Sequence, residues 1–257
     1  MTRQVKRYGW VRDLPDQRDH LYAAPVTALT DLPPSADLRA QCPPVYDQGQ
    51  LGSCTANAIS AAIEFDLKKQ SLADATPSRL FIYYNERAIE GSVDSDSGAQ
   101  IRDGIKAVNK QGACPEGMWP YDIAKFAEKP SDDCYAAGLR CRAVSYSRLV
   151  QTPGQMKGCL AAGYPFVFGF AVYESFESKE VAQSGVVPMP KPGERMLGGH
   201  AVMAVGYDDE QRNFVVRNSW GSGWGQDGYF LMPCHYLHDP NLASDFWTVR
   251  MLSAPAV

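Results

Sequence analysis

The sequence contains little of three features: long hydrophobic runs, clustered positive charge and paired cysteines. No stretch approaches about 18 consecutive apolar residues, which argues against a membrane-spanning helix. No run of Lys or Arg is dense enough to bind nucleic acid or an anionic lipid surface, and the formal net charge is −4. The seven cysteines include no Cys-x-x-Cys pair, which disfavours zinc-ribbon and thioredoxin-like sites. We therefore expect no nucleic-acid partner, no membrane, no metal site and no cofactor.

The N-terminus lacks the apolar core of an ordinary secretory signal peptide, although basic residues are present there. We therefore expect a cytoplasmic protein, or one exported by a route that the sequence does not reveal. The odd number of cysteines leaves their pairing open, because a thiol reserved for chemistry would leave six for bridges. The close pair Cys134 and Cys141 is one candidate for a bridge across a small loop. The oligomeric state is left open as well.

What the sequence does contain is the composition of a globular protein. Of its 257 residues, 45% are hydrophobic and 21% are charged, so a core can form without disulfides or metals. Apolar residues at i, i+3 and i+4 spacing from Ala56 to Leu67 predict a helix with Cys54 in its first turn. Thr76 and the proline after it predict the start of a second helix, which ends at Gly91.

The pattern changes from helices to strands along the chain. Alternating Phe166, Phe168 and Phe170 predict a strand, and further short apolar runs follow. We expect an α+β protein with two lobes and a site in the cleft between them. The expected parts are an irregular N-terminal arm at 1–31 and a domain at 32–257, with a helical lobe at about 45–150 and a β lobe at about 151–250.

Three segments place a reactive or polar group beside glycines, where a backbone can approach a ligand closely. They are residues 48–54 (Gln-Gly-Gln-Leu-Gly-Ser-Cys), 198–202 (Gly-Gly-His-Ala-Val) and 217–225 (Arg-Asn-Ser-Trp-Gly-Ser-Gly-Trp-Gly). A thiol at a helix N-terminus is stabilised as thiolate by the helix dipole, so Cys54 is the candidate nucleophile.

Three polar side chains complete the predicted chemistry around that thiol. His200 can pair with the thiolate and later protonate a leaving amine. Asn218 can accept the other imidazole N–H and fix the tautomer of the ring. The Gln48 amide and the Cys54 backbone N–H can form an oxyanion hole for a tetrahedral intermediate.

These residues resemble the papain and cathepsin cysteine peptidases. The order Cys, His, Asn is preserved, a Gln lies six residues before the Cys, and Asn218 opens an Asn-Ser-Trp-Gly stretch that is typical of that family. The resemblance implies a papain-like fold, with a mainly helical lobe and an antiparallel, barrel-like β lobe. It also implies a cysteine endopeptidase that acts on peptides or proteins through an acyl-enzyme intermediate.

The resemblance further implies where a substrate would bind. The implied substrate-binding residues are Gly98, Ala99, Gln100, Gly169, Ala201 and Trp220, with Trp220 packed over the His–Asn hydrogen bond. We expect a mostly apolar pocket for the second residue on the acyl side of the scissile bond. The residues that form the floor of this pocket cannot be aligned with the family. A floor residue such as Asp245 would change which substrate side chain the pocket prefers.

Departures from the family pattern leave two alternatives open. Leu51 lies where the family usually has a disulfide cysteine, Thr55 replaces an aromatic residue, and Gly199 lies where Asn or Asp is usual. The alternatives to a peptidase are a catalytically impaired binding homologue and an amide hydrolase or transferase with the same triad. Either would keep the fold and lose or redirect the peptide-bond chemistry.

The arm is too short for the family's usual propeptide, but it is rich in aromatic residues. We expect Tyr8, Trp10 and Tyr22 to anchor it, because burial of aromatic area offsets the entropy of ordering a chain. As a zymogen-like extension, it would cover the groove on the leaving-group side and restrict large substrates. The alternative is a purely structural strap.

Overall fold

The computed structural model describes residues 8–72 and 75–253, in which helices predominate in the first half and strands in the second. The helices are α1 (Val26–Thr30), α2 (Cys54–Lys69), α3 (Arg79–Glu90), α4 (Ile101–Gln111), α5 (Asp132–Gly138), α6 (Pro153–Ala161), α7 (Lys179–Ser184) and α8 (Cys234–His238). This order confirms the predicted α+β class.

The strands form one large sheet and one small one. They are β1 (Trp10–Val11), β2 (Leu21–Tyr22), β3 (Ser35–Asp37), β4 (Ala99–Gln100), β5 (Ala143–Leu149), β6 (Phe166–Tyr173), β7 (Met196–Asp208), β8 (Asn213–Arg217), β9 (Tyr229–Pro233) and β10 (Ala243–Leu252). The large sheet has the order β2-β5-β10-β6-β7-β8-β9, with β3 added to β7, and β1 pairs with β4 separately. All pairs of the large sheet are antiparallel except β2 with β5.

Helix α2 joins the two lobes. Every residue from Cys54 to Leu67 is buried, which a helix at the centre of a protein requires. The helix packs against α3 and α4 on one side and against β7 and β10 on the other. The first turn of α2 therefore lies where the two lobes meet.

Helix α3 shows how local signals set the element boundaries. The Ser78 hydroxyl accepts a hydrogen bond from the Phe81 N–H at 3.1 Å, and Gly91 ends the helix at φ 69°. The sequence predicted a start at Thr76 and the proline after it, but the helix begins at Arg79. The reason is that Ser78 still donates its N–H outward, to the Cys114 carbonyl at 2.7 Å.

The core of the β lobe is aromatic. Strand β6 is buried on both faces, and its Phe166, Phe168 and Phe170 pack in sequence. Phe246 of β10 stacks on Phe168 with ring centroids 5.5 Å apart. Strand β6 pairs with β7, so these rings support the strand that carries the candidate catalytic histidine.

The arm has more regular structure than the sequence predicted. Strand β1 pairs in parallel with β4, and strand β2 pairs in parallel with β5. The arm also contains the short helix α1. Two-residue strands are too short to show a period, which is why the sequence pattern missed them. Tyr8, Trp10 and Tyr22 are each half-buried against the core, as expected for anchors.

All seven cysteines lie in the described residues, and all are free thiols. Cys134 packs beside Cys114 against Phe81, so the candidate bridge between Cys134 and Cys141 is absent from this structure. Among the helices of residues 8–72 and 75–253, none has the length and apolar character needed to cross a membrane.

Candidate active site

Cys54 is the first residue of α2 and is completely buried. The backbone N–H groups of Ala201 in β7 and of Gly9 in the arm lie close to its sulfur. Burial raises the pKa of the Cys54 thiol to about 12, while these N–H groups lower it. With the arm in this position, burial therefore disfavours the thiolate.

His200 lies next to Ala201 in the middle of β7, the strand against which α2 packs. The His200 Nε2 lies 2.9 Å from the Asn218 Oδ1, which also accepts the Ser219 N–H at 2.8 Å. Trp220 stacks on the imidazole, with ring centroids 5.1 Å apart and planes at 29°. An Nε2–H donated to Asn218 makes Nδ1 the ring nitrogen that carries the lone pair.

Gln48 is buried in the loop that precedes α2 and is held at both ends of its amide. Its Oε1 accepts from the Ser219 hydroxyl at 2.6 Å, and its Nε2 donates to the Leu51 carbonyl at 3.0 Å. An amide nitrogen carries two N–H groups, so a second donor exists for an oxyanion. The Ser219 contact also ties this loop to the segment that carries Asn218.

The arm crosses the thiol as an extended chain. The Gly9 carbonyl accepts the Ala99 N–H at 2.8 Å. A Cβ on Gly9 would lie 1.7 Å from the Gly52 carbonyl oxygen, and a Cβ on Gly98 would lie 2.1 Å from the Gly9 oxygen. The backbones approach so closely that only glycine fits at these two positions.

Trp10 fills a pocket beside the thiol. A Cβ on Gly169 would lie 1.9 Å from the indole, and one on Gly199 would lie 2.5 Å from it. The absence of a side chain at Gly199, which the sequence presents as a departure from the family, therefore makes room for this ring. The indole Nε1 donates to the Asp245 Oδ2 at 3.1 Å.

The expectation of an apolar pocket without a fixed charge needs correction. Asp245 is buried at the floor, and its backbone adopts a left-handed φ of 59°. Its other carboxylate oxygen pairs with Arg148 at 3.2 Å. The sequence could not place this residue in the pocket, because β10 comes there only through its position between β5 and β6 in the sheet.

A second carboxyl lies beside that floor. The Asp13 backbone N–H donates to the Asp245 Oδ2 at 2.8 Å, and the Asp13 side chain accepts the Trp247 Nε1–H at 2.9 Å. Burial first, and then the charge of Asp245, raise the pKa of Asp13 to about 6. Burial also raises the pKa of Asp245.

Thr55, the other departure from the family pattern, is also explained by its neighbours. Its hydroxyl donates to the Glu86 Oε1 at 2.6 Å, and both side chains are buried. Burial raises the pKa of Glu86 well above its ordinary range. The hydroxyl therefore serves a buried polar partner, which an aromatic ring cannot do.

The structure brings the predicted residues together in two groups. Cys54, His200, Asn218 and Gln48 meet where α2 faces β7. The predicted substrate-binding residues surround the arm strand or the imidazole: Gly98, Ala99 and Gln100 line one edge, Gly169 and Ala201 the other, and Trp220 covers His200. Within residues 8–72 and 75–253, no three His, Cys, Asp or Glu side chains are grouped as a metal site.

Sequence reasoning missed two contributors, Gly9 and Asp96, and named Asp245 only as a floor residue that it could not align. Gly9 lies between the two aromatic residues expected to anchor the arm, and a glycine between anchors is a signal for close backbone approach. Asp96 accepts the Gly52 N–H two residues before the thiol. For Asp96 the sequence holds no comparable signal, because it acts on the distant Gly52 segment.

Known proteins resemble the chain along almost its whole length. The sequence profile described as papain family cysteine protease matches residues 32–245. An uncharacterized peptidase C1-like protein of Acanthamoeba polyphaga mimivirus is 42% identical, over 98% of this chain and 89% of its own. A cathepsin B-like protein of Giardia intestinalis is 31% identical, over 79% and 70%.

The fold agrees with these sequence matches. The crystal structure of xylellain, a cysteine protease from Xylella fastidiosa, superposes with a TM-score of 0.90 and 46% sequence identity, covering 98% of both chains. The profile match and the 42% identical relative each extend over most of the sequence. The chain therefore belongs to the papain family of cysteine proteases.

Proposed function

We propose that the chain is a cysteine endopeptidase in which Cys54 is the nucleophile. The observation that carries the proposal is the position of Cys54 at the start of α2, which packs against β7, the strand that carries His200 and Ala201. In a free cleft the His200 Nδ1 takes the thiol proton, and the thiolate attacks the peptide carbonyl. The Gln48 amide and the Cys54 N–H stabilise the resulting oxyanion.

The remaining steps need only the same groups. His200 gives its proton to the leaving amine as the C–N bond breaks, and an acyl-enzyme remains on Cys54. Water then attacks the thioester while His200 accepts a proton from it, and the thiol and the carboxylic acid product are released. Asn218 keeps the imidazole in one tautomer and orientation throughout.

The pocket beside the thiol supports a preference at the second residue on the acyl side. When the arm is displaced, the Asp245 Oδ2 loses the Trp10 and Asp13 donors, while Oδ1 keeps Arg148. A buried acceptor without a donor is costly, so a side chain with a donor at its tip is favoured there.

This preference is measured with peptides that differ only at that residue. We expect Lys to be cleaved about tenfold faster than norleucine, which has a similar length and no donor. Internal cleavage of longer peptides, identified by mass spectrometry, tests endopeptidase action in the same assay. Equal rates for the two peptides would refute the role of Asp245, and trimming from the ends alone would refute an endopeptidase.

We further propose that the arm restrains the enzyme by occupying the cleft. Gly9 covers the thiol and Trp10 fills the acyl-side pocket, while the Tyr8 ring lies 6.0 Å from the His200 ring and its hydroxyl bonds to Glu177 at 2.6 Å. This coverage is wider than the leaving-group side expected from the sequence. It supports a block of peptide substrates in general rather than of large ones alone.

The restraint is expected to depend on pH through Asp13. Its pKa is raised to about 6 in the docked arm, above the ordinary value of about 3.9, so docking favours the protonated carboxyl. Docking is therefore strongest near pH 4 and weakens, by up to about 10²-fold, as the pH rises through 6. The charged groups around it are Asp245, Arg102, Arg148, Asp19 and Glu90.

The measurement is the activity of the full chain divided by that of a chain lacking residues 1–11, taken from pH 4 to 7. The division removes the pH dependence of catalysis itself, and we expect the ratio to rise with pH. Asp13→Asn supplies the control, because an amide has no proton to lose, and its ratio should stay low and flat. A ratio that falls as the pH rises would contradict this role of Asp13.

A further inference from the structure

Asp96 links two segments that serve different parts of the reaction. It lies in the loop between α3 and β4, and its two carboxylate oxygens are 3.0 and 3.1 Å from the Gly52 backbone nitrogen. Gly52 lies two residues before Cys54, in the loop that carries the oxyanion donors. Gly98, at the edge that pairs with an extended chain, lies two residues after Asp96.

Tyr83 of α3 extends the contact to both segments. Its hydroxyl donates to Asp96 and accepts the Gly98 N–H at 3.2 Å. Burial, and then the hydrogen bond and charge of Asp96, raise the pKa of Tyr83 far above its ordinary range. The hydroxyl therefore keeps its proton and remains a donor at any pH at which the enzyme works.

Arg87 holds the same loop from its inner side. Its side chain is completely buried, and its Nη1 donates to the carbonyls of Val93 at 2.7 Å and Ser95 at 3.0 Å. The guanidinium also stacks on the Tyr83 ring at 4.0 Å. Asp96 is thus presented by a fixed loop, which a precise contact requires.

In the part of the chain that the structure describes, no disulfide joins the loop of Gly52 to the loop of Asp96. Position 51 holds a leucine where the family resemblance implies a bridging cysteine, and the seven cysteines are free thiols. A Cβ on Gly52 would lie 3.0 Å from the Asp96 Oδ1, so the absence of a side chain permits the close approach. The carboxylate contact is the tie between the two segments.

We propose that Asp96 is a positioning residue that aligns the oxyanion loop with the peptide-pairing edge. It acts through Gly52 on the transition state and through Gly98 on substrate binding, and it touches neither substrate nor thiol. The proposal rests on the proposed function, in which Gln48 and Cys54 supply the oxyanion donors. It predicts effects on kcat and KM that two substrates can separate.

The test compares Asp96→Ala with Asp96→Asn in the full-length chain that also carries Gly9→Ala, because a Cβ at position 9 would lie 1.7 Å from the Gly52 carbonyl oxygen and displaces the arm from the cleft. One substrate has two residues before the scissile bond and reaches Gly98; the other is an ester with one residue and does not. We expect Asp96→Ala to lower kcat about tenfold for both substrates and to raise KM only for the longer one. Asp96→Asn should stay within about threefold, because its amide oxygen can accept both hydrogen bonds.

Two further variants separate positioning from general damage. Asp94→Ala removes the same charge from an exposed position in the same loop and should have no effect. Tyr83→Phe removes the link to Gly98 but leaves the Gly52 contact, so it should raise KM for the longer substrate and spare kcat. This variant keeps the proposal testable if Asp96→Ala fails to fold.

Rates are referred to the concentration of reactive Cys54, titrated with a thiol-directed inhibitor. Asp96→Ala kinetics equal to those of Asp94→Ala would overturn the proposal, as would a KM rise of the same size for both substrates. A Gly9→Ala chain with Asp96 intact that neither hydrolyses peptides nor reacts at Cys54 would instead overturn the proposed function. The two failures are therefore distinguishable.

Discussion

A chain with Cys54→Ser is expected to lose peptide hydrolysis, with kcat/KM falling on the order of 10⁴-fold or more. A serine hydroxyl at the same position is not ionised by His200 in the way a thiol is, so the nucleophile is lost while the fold is kept. The variant should unfold at the same temperature as the unmodified chain. Activity within tenfold of the unmodified chain would remove Cys54 from the mechanism.

Gln48→Ala separates the oxyanion hole from the nucleophile. We expect kcat to fall by about 10² while KM changes little and Cys54 stays reactive toward alkylation, because the amide acts on the transition state. Gln50→Ala is the matched control, since Gln50 lies in the same loop and is exposed. An unchanged kcat in Gln48→Ala would refute the role of the amide.

Release of the arm is expected to raise both activity and thiol reactivity. Deleting residues 1–11 exposes Cys54, whose pKa is held near 12 by burial, and vacates the pocket that Trp10 fills. We expect peptide turnover and Cys54 alkylation at pH 7 to rise at least about 10²-fold, because the thiolate is the reactive form. Alkylation rates followed by mass spectrometry measure this directly.

A single methyl group tests the same point without shortening the chain. Gly9→Ala would bring a Cβ to 1.7 Å from the Gly52 carbonyl oxygen, so the arm strand has to leave its position. Gly117→Ala is the control, since a Cβ there meets nothing within 4 Å. If activity and stability fall together in Gly9→Ala and in the deletion, the arm is a structural strap and does not restrain the enzyme.

Local chemistry explains how much of this architecture was predictable. The start of α2 at Cys54 follows from its apolar spacing, and strand β6 follows from its alternating phenylalanines. The predicted tetrad of Cys54, His200, Asn218 and Gln48 could be named because its members lie in three glycine-rich segments, which the sequence displays directly. Gln48 and Cys54 share the first of these segments. The family resemblance added the order of the roles, which spacing alone does not give.

The features that escaped prediction are long-range. Asp245 and Asp13 are far apart in sequence, and they meet because the arm strand β2 pairs with β5, which lies beside β10 in the sheet. The path of the arm depends on backbone contacts of Gly9 that no side-chain pattern reports. In the sequence Asp96 is one acidic residue in a polar loop, and only the fold shows its contact with Gly52.

The most direct test of the central claim treats the Gly9→Ala chain with an epoxide thiol inhibitor and maps the modified residue by mass spectrometry. The cleft is then open, and Cys54 lies in the first turn of α2, which packs against the strand that carries His200. The account predicts that Cys54 alone among the seven cysteines is modified, with loss of activity in proportion to labelling. Inactivation with Cys54 unmodified, or complete labelling of Cys54 with activity retained, would contradict it.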